Sequence, residues 1–242
     1  MNEKRISSNR DASHGMGIFS ARTIALTPLA LVLLYGALIV FPPTRSFALL
    51  LQEENHLLEM LTFAFLVLGG ALGLSLAWRV SRQGVSSPFV VGFYLLFSIG
   101  LLIVAMEEVA WGQKLLGFET PTSLEKVNAQ DEVTLHNIEG LQGRSEFFRI
   151  AFGSCGLIGM WLSRRWRFRG IEAPLMLLPW FLVITGVAGV DLYSDYFPLR
   201  EQLDHGLHVM SELVEMLIGI VAFLLVWLNI RLLRGHVGRI SG

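Results

Sequence analysis

The stretch HGLHVMSELVEMLIGIVAFLLVWLNI, His205 to Ile230, decides how this chain is read. From Leu207 onward it is long and apolar enough for a helix that crosses a bilayer, which takes about 20 mostly apolar residues. Yet its first half carries His205, His208, Glu212 and Glu215. At about 100° per residue these four positions fall near 0°, 300°, 340° and 280°, an arc of roughly 80° on one helical face. Ionisable groups inside a span are expensive to bury and mark functional sites by default. A polar helix start in the headgroup region accounts well for His205. It accounts poorly for Glu215, which lies roughly 15 Å further along the axis.

The rest of the chain supplies the same kind of segment five more times. Ile24–Phe41, Leu57–Trp78, Phe89–Val109, Phe147–Ser163 and Pro174–Val190 are each mostly apolar, the fourth interrupted by Arg149. With 242 residues, 53% of them hydrophobic, and a mean hydropathy of +0.56, one membrane domain is the economical reading. Basic residues fall in alternate connections. Lys4, Arg5, Arg10 and Arg22 precede the first span, Arg79 and Arg82 follow the second, Arg164, Arg165, Arg167 and Arg169 follow the fourth, and Arg231, Arg234 and Arg239 follow the sixth. Cytoplasmic connections carry the Lys/Arg excess, so both termini are expected inside. The expected fold is an all-α integral membrane bundle of six transmembrane helices with a long outer loop between helices 3 and 4. Residues 1–22 form a disordered cytoplasmic tail, 23–232 the membrane domain and 233–242 a second cytoplasmic tail. Pro42-Pro43-Thr44-Arg45 after the first span is no cleavage site, so that span is read as an uncleaved anchor.

On this topology only Glu3, Asp11 and Glu172 of the 20 acidic residues are cytoplasmic, and His56, His136, His205 and His208 are outside. Cys155 is the single cysteine, which excludes an intramolecular disulfide and a cysteine-based metal site. No dinucleotide, phosphate-loop or metalloprotease motif and no basic nucleic-acid patch is present, so no nucleic-acid partner is expected. Gly153-Ser154-Cys155-Gly156 is similar to a rhomboid-protease tetrad, but Cys155 stands where that pattern has its serine. Close helix packing is the better reading of these small residues. His56-Leu57-Leu58-Glu59-Met60-Leu61 echoes Glu212-Leu213-Val214-Glu215-Met216-Leu217, and on the six-span topology both segments run outside to inside.

The third span ends Met106-Glu107-Glu108-Val109-Ala110-Trp111-Gly112-Gln113. Adjacent residues point about 100° apart, so at most one of the two acids faces the stripe on the sixth span. Trp111, one turn after Glu107, fits an interfacial aromatic anchor. The loop that follows, about Gly112 to Glu146, has a helix expected over Thr122–Val127 and apolar anchors at Leu135 and Ile138, and is read as a cap over the helix ends. Asp191 closes the fifth span, with Asp195 beyond it.

The run Glu107–Gln113, continued by Gly117-Phe118-Glu119-Thr120-Pro121 and then by Asn128, Gln130, Glu132 and Leu135-His136-Asn137, resembles a motif of a family of uncharacterised bacterial multi-pass membrane proteins. Its usual form is approximately EEISWGQ, then G-x-E-T-P, then N-L-H-N; here Val109-Ala110 replace Ile-Ser and Thr134 precedes Leu135. The resemblance brings no established activity. It implies that the outer loop and the acids of span three form one functional unit, with His136 its most reactive member, in a bacterial inner (cytoplasmic) membrane with the site facing outward.

These residues point first to a membrane-embedded, metal-dependent hydrolase or transferase. Imidazole with carboxylate suits a divalent metal, zinc first, with iron or manganese as alternatives. The expected ligands are His205, His208, His136, Glu212 and Asp191; the expected acid/base carboxylates are Glu59, Glu107, Glu108 and Glu215. The logic is similar to that of the alkaline ceramidase superfamily, although the motifs differ. A site at headgroup depth suggests a lipid or lipid-linked substrate. The alternatives are a cation- or proton-coupled transporter, a paired-iron oxidase, or a non-catalytic partner in envelope biogenesis.

Overall fold

Hydropathy and helix capping place the elements. A computed structural model describes residues 16–52, 57–83, 87–122, 128, 133–134, 145–163, 170–197 and 201–240; within these helices the side chains of 52, 83, 114–115, 201–205, 208 and 234–240 lie outside the description. The regular elements are α1 (Ile18–Val40), α2 (Pro42–Gln52), α3 (Leu57–Gln83), α4 (Pro88–Glu108), α5 (Ser145–Leu162), α6 (Leu178–Tyr196) and α7 (Glu201–Ile240), with short 3-10 turns at Ala110–Gly112 and Leu175–Leu177. The chain is all-α, as expected. Residues 123–127 of the helix expected over Thr122–Val127, the anchors Leu135 and Ile138, and residues 1–15 of the expected tail lie outside the described residues, while residues 18–22 of that tail belong to α1. The expected tail at 233–242 is helical as far as Ile240.

Among the described residues five segments are long and apolar enough to cross a membrane: Ile18–Val40, Leu57–Arg82, Pro88–Glu108, Leu175–Tyr196 and Val209–Leu233. Helix α5, at the expected fourth span, stands outside that set. It is 18 residues long and carries Glu146 and Arg149 in its first turns.

The most buried of the five is that of α7, which packs against α1, α2, α3, α5 and α6. Its Val214, Leu217, Val221 and Leu228 join Trp180, Phe181 and Ile184 of α6 in the largest apolar cluster. In a bilayer no hydrophobic gain separates helix from lipid, so close packing between small residues drives association. Glycines report the directions. A Cβ at Gly219 of α7 would meet Thr62, Phe65 and Leu66 of α3, while one at Gly69 would meet Phe223 and one at Gly73 would meet Val226. Numbers rise together, so α3 and α7 run parallel, the direction expected from the order of spans. Gly69 and Gly73 also face Leu101 and Ser98, which makes α3 and α4 antiparallel. Helices α5 and α6 are antiparallel by the same logic, Gly153 meeting Thr185 and Gly156 meeting Phe181. The packing reading of the Gly153–Gly156 tetrad agrees with these contacts.

Two details show how polar backbone is satisfied. Pro28 inside α1 has no N–H for the carbonyl of Ile24, and the Trp180 indole donates to that carbonyl at 2.8 Å. Helix α2 begins at Pro42-Pro43, and Tyr35 of α1 donates to the carbonyl of Ala48, tying it down at 3.0 Å.

Gly156 and Gly159 provide a test in one helix. A methyl at Gly156 runs into the Phe181 ring, whereas one at Gly159 meets nothing. Gly156→Ala should destabilise the detergent-solubilised protein by about 1–3 kcal/mol, the usual penalty for overpacking. Gly159→Ala should leave the thermal midpoint unchanged; equal midpoints for the two variants would refute the α5–α6 contact.

Candidate functional site

The helix directions bring carboxylates together at one end of the bundle. Glu59 lies in the first turn of α3, where the helix dipole favours an acid. Glu108 is the last residue of α4, where the dipole opposes one. Glu212 and Glu215 lie towards the start of α7. With α3 antiparallel to α4 and parallel to α7, all four fall at the same level. Glu108 is within direct charge–charge range of Glu215, Glu212, Glu59 and Glu107, and Glu212 of Glu215, Glu59 and Arg149. The two echoing segments therefore lie side by side.

The adjacent acids of α4 divide the work. On a 100° wheel Glu108 continues the buried face of Leu101 and Ala105, and Glu107 continues the exposed stripe of Leu96, Ile99 and Ile103. Glu107 accepts a hydrogen bond from the Trp111 indole at 2.6 Å. Glu108 is thus the one acid of the pair that faces α7.

Arg149 is a buried basic group at this end. Its side chain is 5% exposed; Nη2 donates to Asp191 at 3.0 Å and to Ser145 at 3.0 Å, with Glu146 at 3.7 Å. The Nε atom is buried without a hydrogen-bond partner. This pairing explains how α5 carries an arginine among apolar helices. It also places Asp191, an expected metal ligand, against a guanidinium. Sequence reasoning treated Arg149 as an interruption. An intramembrane charge at the same level as Asp191 was the signal that the two pair. Tyr35 is a second residue not foreseen: it is buried and in electrostatic range of Glu212.

The expected histidines are placed only in part. His205 and His208 belong to the continuous backbone helix of α7, two turns or less before Glu212, and their side chains lie outside the description. His136 lies outside the described residues. Among the described residues no group of three or more His, Cys, Asp or Glu is arranged to hold a metal ion. A metal centre here therefore rests on imidazoles being added to the carboxylates.

The motif residues of the loop are tied to one another. Gln113 donates to Thr120 Oγ1 and accepts from the Val133 N–H, both at 2.8 Å, and Asn128 donates to the Thr134 carbonyl at 2.9 Å. Ala110 and Trp111 have φ of 45° and 54°, followed by Gly112 at 79°. For residues with a side chain this left-handed backbone costs about 1–2 kcal/mol each. The turn is closed by the Gly112 N–H donating to Val109 at 2.7 Å.

No protein-family model, curated protein or solved structure matches this chain.

The ion pair makes a direct prediction. Arg149→Met leaves Asp191 and Glu146 without their counter-charge and should cost about 3–5 kcal/mol in thermal or denaturant unfolding. Arg149→Met with Asp191→Asn should recover a large part of that loss. Additive effects in the double variant would show that the two groups act independently.

Proposed function

We propose that this chain is a multi-pass membrane hydrolase or transferase whose acid/base site lies at the outer ends of α3, α4 and α7 and acts on a lipid or lipid-linked substrate. The observation that carries this reading is that, among the described residues, the cluster of carboxylates from three helices lies at one end. Beyond Glu215, α7 is apolar from Leu217 to Leu228. The opposite end is closed by satisfied bonds. The Asn229 amide accepts from the Glu172 N–H at 2.9 Å and donates to the Glu172 and Leu225 carbonyls at 2.8 Å, and Tyr94 donates to the Gly170 carbonyl at 2.7 Å. A transport path needs polar steps to both faces, and Leu217–Leu228 of α7 offers none between the two ends. A one-ended polar site favours chemistry over conduction.

In this reading α5, antiparallel to α6, is the sixth crossing, its arginine tolerated through Asp191. Six crossings put both termini in the cytoplasm and the acidic end outside, in a bacterial inner membrane. Glu108, facing Glu59, Glu212 and Glu215, is the proton acceptor. Glu215 and Glu59 share its charge environment, and Arg149 offsets part of it. Glu107 holds Trp111 and takes a supporting role. His205, His208 and His136, with Glu212, would hold a divalent metal, zinc first, which would supply Lewis-acid activation at this end of the bundle.

Elemental mass spectrometry of the purified protein tests the metal. About one zinc, iron or manganese ion per chain is expected, lost in the His205→Ala/His208→Ala variant. Glu108→Gln should keep the metal and lower turnover of the lipid substrate by on the order of 10²–10⁴, the usual contribution of a general base. Absence of metal from the wild-type protein would remove the metal from this reading. Full activity in Glu108→Gln would remove its proton acceptor.

A further inference from the structure

The exposed stripe of α4 does not stop at the end of the helix. Leu96, Ile99 and Ile103 are exposed along a segment apolar enough to cross a membrane, and Glu107 follows on the same stripe. Trp111, Leu116 and Phe118 come next, 40%, 73% and 40% exposed. Side-chain hydrogen bonds fix the shape of this turn. The Trp111 indole is fixed to Glu107, and Gln113, between Trp111 and Leu116, is drawn back onto Thr120 and Val133. Left-handed backbone at Ala110 and Trp111 turns the chain sharply at this point.

A tight turn presenting a tryptophan, a leucine and a phenylalanine in direct continuity with a spanning helix has the chemistry of the bilayer interface, where an aromatic ring with one polar edge is most stable. We infer that the Trp111–Phe118 turn is seated in the lipid leaflet at the acidic end, and does not stand in water as part of the cap. The occupant of this apolar face is the headgroup–acyl boundary of the bilayer. The inference deepens the proposed function: through the Glu107–Trp111 bond, the depth of this turn sets the depth of Glu108 and so the level at which a lipid would meet the site.

The full chain in liposomes, labelled with the environment-sensitive fluorophore NBD, tests this without disturbing packing. Cys155→Ser supplies a cysteine-free background, and Leu116→Cys, Phe118→Cys and Glu119→Cys are labelled in turn. Labels at 116 and 118 should emit at the blue-shifted wavelength of an apolar setting. A nitroxide near the top of the lipid acyl chain should quench them at least about twofold more than aqueous iodide does, while the label at 119 responds more to iodide. Water-like emission with preferential iodide quenching at both 116 and 118 overturns the inference. This result would leave the metal content and Glu108 dependence untouched, so failure of the leaflet turn and failure of the proposed function are separable.

Discussion

Carboxylates crowded at the end of a bundle of apolar helices repel one another. Glu59, Glu108, Glu212 and Glu215 come from three helices and meet at one level. Shared protons or nearby positive charge relieve that repulsion, and Arg149 lies in electrostatic range of one of the four, Glu212. Much of the architecture follows from this need. Helix α7 sits at the centre because it carries two of the acids and must keep them from lipid. Helix α3 runs parallel to it, so that its own first-turn acid arrives at the same end. Helix α5 brings the guanidinium, and Asp191 at the far end of α6 holds it in place.

The sequence motif around the third span separates into parts with different physical duties. Glu108 belongs to the carboxylate group, whereas Glu107 belongs with Trp111 at the surface. Gln113, Thr120, Asn128 and Thr134 tie the loop to itself. A motif of this kind is as much scaffold as chemistry, because its described polar side chains bond within the loop.

Of the six spans expected from hydropathy, five are long apolar helices among the described residues, and the rule of 100° per residue foresaw that at most one of Glu107 and Glu108 faces α7. The order of spans gave the parallel direction of α3 and α7. Other features were not readable. Pro42-Pro43 in the sequence only excludes a cleavage site, yet proline is well suited to the first turn of a helix, and α2 starts there. The left-handed backbone at Ala110 and Trp111 has no local signature, since neither residue favours it. Arg149 read as a defect because its partner lies 42 residues away in sequence. Pairings between distant helices depend on directions and register, which single-helix patterns do not encode.

Cross-linking between α3 and α7 tests the convergence of the carboxylates most directly. In a Cys155→Ser background, Glu59→Cys is paired with Glu215→Cys or, separately, with Asn229→Cys, and native membranes are treated with a short bis-thiol reagent. Parallel helices with the acids at one level predict efficient linkage of 59 to 215 and none of 59 to 229. Linkage of 59 to 229 with none to 215 would mean that the helices run oppositely and that the carboxylates never form a common site.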